Sequence, residues 1–147
     1  MLPAPEVLNK ELDAAVAEPR ALYGGKYDYE PNGYKRLRVY ERAIDLLVAV
    51  YAVSAHFPKS ETYGLTQQIR RAAVSIVLNI GEGWGRNSKA ELARFCDVSR
   101  GSTHEVDAAL TVAQRLQFVA TEQTEDSFSL VNRTSAMLLR LAKSLRK

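Results

Sequence analysis

A chain of 147 residues, 46% apolar and 25% charged, has the size and composition of one globular domain. Its 8 glycines and 5 prolines are too few for a turn-rich all-β chain, and a lone cysteine, Cys96, excludes an internal disulfide framework and points to a cytoplasmic setting. The N-terminus lacks the basic start and apolar run of a signal peptide, and the longest apolar stretch, Ala43 to Ala55, carries Asp45 and Ser54 and is too short to span a bilayer.

The net charge of +3 is unevenly placed. Residues 1–34 carry three basic and six acidic side chains, whereas residues 35–147 carry seventeen basic and eleven acidic ones. From Arg133 to Lys147 there is no acid, although Arg133, Arg140, Lys143, Arg146 and Lys147 all lie there. Such asymmetry is compatible with a polyanionic partner, and also with a solvated helix whose cations favour its C-terminal end.

Residues 1–34 read as an N-terminal extension to a domain over 35–147. Pro5 to Glu18 has the spacing of a short helix, ended by Pro19. The stretch from Tyr23 to Tyr34, with Tyr27 and Tyr29 between, reads as irregular chain that clamps onto the domain. From there the pattern is helical throughout. A first long helix is predicted from Leu37 to Phe57, with Val39, Ala43, Leu46, Val50, Val53 and Phe57 as one apolar stripe. Its opposite face continues as Val48, Ala49, Ala52 and Ala55 where a monomer would keep charges, which makes these four the candidate subunit interface. A second helix follows from Tyr63 to Gly83, with the glycines at its end read as termination signals. Ser88 to Glu91 supplies a capping box for a third helix reaching Leu116. A fourth starts at Thr121 or Thr124 and turns Phe128, Val131, Leu138, Leu141 and Leu145 inward. Four long helices with short connections imply an all-α, antiparallel up-and-down four-helix bundle.

Gln68, Arg71, Ser75, Asn79, Glu82 and Arg86 form one polar row along the second helix. Pairing it against the third helix about a turn near Arg86 sets Glu82 within reach of Arg94 and Arg71 within reach of Glu105, with Gly101 and Ser102 allowing close approach. Gln68, Arg71, Ser75, Asn79, Glu82 and Glu105 are the candidate structural polar network, because buried polar groups come with partners, with a solvated face or a ligand site as the alternatives. His56 and His104 have no ligand-spaced partner, Cys96 has no neighbour to activate it, and Gly81-Glu82-Gly83-Trp84-Gly85 lacks the Lys-Ser/Thr of a phosphate loop. No enzyme, metal or cofactor is expected.

Tyr63-Gly64-Leu65, the run Gln68 to Ile76, Asn79-Ile80-Gly81-Glu82-Gly83-Trp84-Gly85-Arg86, and Glu91, Phe95, Arg100-Gly101-Ser102 and Glu105 together resemble the bacterial ribosomal RNA intervening-sequence protein family. Val39 to Ala43 and Phe57-Pro58 fit as well. The resemblance implies a four-helix bundle assembling into a ring, typically a homopentamer, without catalytic residues. Distant relatives, the accessory proteins of diversity-generating retroelements, bind nucleic acid and a reverse transcriptase. Two departures stand out: Gly81 replaces a usual alanine, and Val77 a frequent proline. The expected partner is nucleic acid, RNA or DNA, held by Arg70, Arg86, Arg94, Arg100, Arg133, Arg140, Lys143 and Arg146. The alternative is a protein–protein adaptor or structural ring, with a reverse transcriptase or other protein as partner and no membrane.

Overall fold

The computed structural model describes residues 1–12 and 30–147. Helix α1 spans Pro5–Leu12, α2 Arg38–Ser54, α3 Leu65–Gly85, α4 Lys89–Arg115 and α5 Thr121–Leu145, with short 3-10 turns at Gly33–Arg36 and Lys59–Glu61. There is no strand among the described residues, and no helix is long and apolar enough to cross a membrane. The predicted extension of α1 to Glu18, and Tyr23, Tyr27 and Tyr29, lie outside the described residues.

The four long helices pack in sequence, α2 on α3, α3 on α4 and α4 on α5, and α2 returns against α5. The stripe read on α2 is buried: Val39, Ala43, Leu46, Val50 and Val53 meet Ile69, Ile76 and Ile80 of α3, Leu92, Val106 and Leu110 of α4, and the expected Leu138 and Leu141 of α5 in one core. Removing these apolar surfaces from water is the main stabilisation of such a bundle.

Helix boundaries follow local chemistry, with two departures from expectation. At the α4 start, Ser88 Oγ accepts from the Glu91 N–H at 3.4 Å, but the Glu91 carboxylate is taken by Arg94 and does not close the box. At the α5 start the reciprocal half is present instead: Ala120 N donates to Gln123 Oε1 at 2.8 Å. The glycines near residue 83 do not end α3, which runs through to Gly85 and stops where Asn87 takes a φ of 50°. Gly83 is the point of close approach, since a Cβ there would lie 2.6 Å from Phe95 Cβ on α4. Gly101, expected to play that part, has nothing within 4 Å of such a position.

The N-terminal residues form a strap across one end of the helices. Leu2 and Leu8 are buried in the core, α1 contacts α5, and the Gly33–Arg36 turn contacts α2 and α3. Arg36 holds the strap together by donating from Nε to Glu6 and from Nη1 to Glu30, both at 2.6 Å. Asn9 caps this arrangement, donating to the Arg36 carbonyl and accepting from Arg38 N. Beneath it the Trp84 indole N–H donates to the Glu30 carbonyl at 2.8 Å.

Candidate nucleic-acid interface

The polar row of α3 does reach α4, but through hydroxyls rather than charges. Ser75 and Ser102 hydroxyls are 2.9 Å apart, Asn79 Nδ2 donates to the Ser75 carbonyl and hydroxyl, and Ser99 Oγ donates to the Ile76 carbonyl at 2.8 Å. The two expected charge pairs across the seam are absent. Glu82 pairs with Arg86 on its own helix at 3.0 Å and Arg94 with Glu91 at 2.9 Å, while Arg71 and Glu105 make no ion pair among the described residues. Gln68, Arg71, Glu82 and Glu105 are exposed, so the network comprises Ser75 and Asn79 together with Ser99 and Ser102. The cause is register. With α3 running to Gly85, Ser75 stands opposite Ser102, about one helical turn from the pairing expected of a hinge at Arg86. Ser99 and Ser102, spaced three apart within an otherwise apolar row, were the sequence signal for it.

Of the eight candidate cations, four are already engaged. Arg70 Nε donates to Ser54 Oγ at 2.8 Å and its guanidinium lies 4.5 Å above the Tyr51 ring. Arg86 and Arg94 flank the Phe95 ring at 5.5 and 4.5 Å while pairing with Glu82 and Glu91. Arg146 on the far side donates to Asp97 of α4. The other four, Arg100, Arg133, Arg140 and Lys143, make no ion pair among the described residues. Arg133, Arg140 and Lys143 are exposed and follow each other along α5 by steps of seven and three, which keeps them on one outward stripe. The first step covers about 10 Å of helix, roughly three nucleotide steps along one strand of a duplex. Arg100 is half-buried on the α4 row that also holds Asp97 and Gln114. Both of those reach α5, at Arg146 and Thr124, so this row faces α5.

Large apolar side chains are exposed on several elements, Val98 and Val112 of α4 among them. Val48 is 64% exposed, Leu78 63% and Tyr51 44%. Ala52 and Ala55 are exposed and Ala49 half-buried, so the four residues picked as a subunit interface do lie along the outside of α2. A groove of about 650 Å³ runs beside them, lined by Tyr51, Gln67, Arg71, Val74, Leu78 and Asn79 among others. A smaller cleft of about 250 Å³ lies between α2 and α5, where Ala49, Ala52 and His56 face Gln123, Asp126 and Ser127. Leu78 and Tyr51 were not singled out from the sequence; Leu78 lies on the polar side of α3 and Tyr51 on an apolar stripe of α2.

Groups for catalysis are dispersed. Among the described residues no three His, Cys, Asp or Glu side chains gather as metal ligands. His56 and His104 are exposed on different helices. The Cys96 thiol is buried, and burial first, with Asp97 beside it, pushes its pKa up to about 12, so it stays a protonated core side chain.

None of the curated proteins matches the chain. The sequence profile described as 23S rRNA-intervening sequence protein matches residues 35–140, which begins at the 3-10 turn before α2 and ends within the basic stripe of α5. The strap of residues 1–12 and 30–34 lies outside that match, and the four long helices lie almost wholly within it. The chain therefore belongs to the 23S rRNA-intervening sequence protein family.

Proposed function

We propose that the protein is a non-enzymatic, cytoplasmic, homo-oligomeric antiparallel four-helix bundle that binds nucleic acid, RNA above all, through the basic stripe of α5. The observation that carries this reading is the contrast among the cations. Arg86 and Arg94 have acidic partners one turn away, so their fields are locally cancelled. Arg133, Arg140 and Lys143 are exposed in a row with no acid from Arg133 to the end of the chain. A row of this kind contacts phosphates rather than base edges, giving little sequence preference and strong salt dependence. A ring, of five copies as the family resemblance implies, repeats the stripe in every copy and steepens that dependence.

Titration of labelled RNA and duplex DNA at several salt concentrations tests it. The logarithm of affinity should fall by roughly 0.7 per phosphate contact on single strands and 0.9 on duplex for each tenfold rise in salt. Arg140→Glu with Lys143→Glu should flatten that slope, whereas Arg94→Glu, at a site already neutralised by Glu91, should change it little. Absence of binding by the native protein at low salt overturns the reading. The exposed apolar surface along α2 and α3 then favours the second one, an adaptor for another protein.

A further inference from the structure

The groove beside α2 is lined by Arg70, Arg71 and Glu82 and the cleft on its other flank by Asp126 and His56, a net positive lining against a net negative one. On one side stands Arg71, with Arg70 next to it; on the other stands Asp126, with Glu122 and Glu125 nearby on the same first turns of α5. Arg71 and Asp126 make no ion pair among the described residues. They also stand at the same height. The bonds of Arg70 to Ser54 and to the Tyr51 carbonyl fix α3 against α2, and place Arg71 level with about Tyr51. The smaller cleft sets Asp126 beside Ala52 and Val53, within one turn of that level.

We infer that the groove on one copy receives the α2/α5 edge of the next, with Arg71 of one facing Asp126 of the other. This rests on the homo-oligomer reading above and specifies its seam. Rotation about an axis parallel to the helices preserves height, so it brings the basic flank of one copy onto the acidic flank of its neighbour and repeats the contact head to tail. Adjacent sides of a four-helix bundle meet at roughly a right angle, which closes such a contact into a small ring rather than an open filament. α2 then lies innermost, and its exposed Val48, Ala52 and Ala55 are covered. The small side chains Ala49 and Ala52 let this edge sink against Val74 and Leu78, which line the groove and would otherwise remain wetted. Charges on such flanks act chiefly on specificity and register.

Light scattering on the full chain and on charge-swapped variants tests the seam. The native protein should give several times 16.4 kDa. Arg71→Glu and Asp126→Arg should each raise the concentration needed for assembly by about tenfold or more, and the double variant should restore it. Both side chains are exposed, so the far-ultraviolet circular dichroism of each variant at the assay temperature should match the native one, separating loss of assembly from loss of folding. Native protein that runs as a monomer overturns the oligomer reading and the seam together. An assembled native protein whose size neither substitution changes, or whose double variant fails to recover, overturns the seam alone.

Discussion

Gly81 and Gly83, one turn from the end of α3, face opposite demands. A methyl group at Gly81 would meet the Tyr34 ring at 3.7 Å, an ordinary contact, so the glycine there only sacrifices helix propensity. At Gly83 the same group would sit 2.6 Å from Phe95 Cβ and 3.1 Å from Leu92 Cδ1 on α4. Gly81→Ala should therefore raise stability by about 0.5–1 kcal/mol, and Gly83→Ala should lower it by about 1–3 kcal/mol, read from chemical denaturation midpoints. The sequence showed both glycines but not which one another helix presses against. That distinction depends on the contact between α3 and α4, a long-range property that composition and spacing do not encode.

At the scale of the element, the periodicity of α2 to α5 was legible because each buries one continuous apolar stripe, and tertiary packing rewards the same spacing that the sequence displays. Register was less legible. An expected hinge at Arg86 shifted the α3–α4 pairing by about a turn, enough to replace two salt bridges by a hydroxyl and amide network. It also reversed the expected importance of Glu82 and Asn79. Glu82 and Arg86 are both more than half exposed, and an exposed pair of this kind contributes little. Asn79 instead anchors Ser75, which itself meets Ser102. Thermal melts should show Glu82→Ala within about 0.5 kcal/mol of the native protein and Asn79→Ala about 1–2 kcal/mol below it. The outward stripe of α5 was legible as charge, but only the structure separated Arg133, Arg140 and Lys143 from cations that have local partners.

Across the whole molecule, exposed large apolar side chains occur on α2, α3 and α4, and the two proposed interfaces share one side of α5, the self seam at Asp126 in its first turns and the nucleic-acid stripe from Arg133, seven residues further on. The strap was the least legible part, because the turn from Glu30 to Arg36 gives no periodic signal and its docking depends on Trp84 at the far end of α3. That docking has an acid limit. The hydrogen bond from Arg36 holds the Glu6 carboxyl below its ordinary value, with burial acting against it. A lowered carboxyl pKa adds stability that is present above its unfolded value and lost as pH falls through the folded one, so the clasp should weaken as the pH drops below the ordinary carboxylate range. Trp84 is the only tryptophan in the chain, and it is buried beneath the strap with its indole bonded to Glu30. Its emission is therefore an internal gauge of strap closure, separable from helix content. On acidification the fluorescence should shift to the red before far-ultraviolet dichroism declines, and Glu6→Gln should produce part of that shift at neutral pH. Coincident changes by both probes would mean instead that strap and helices melt as one cooperative unit.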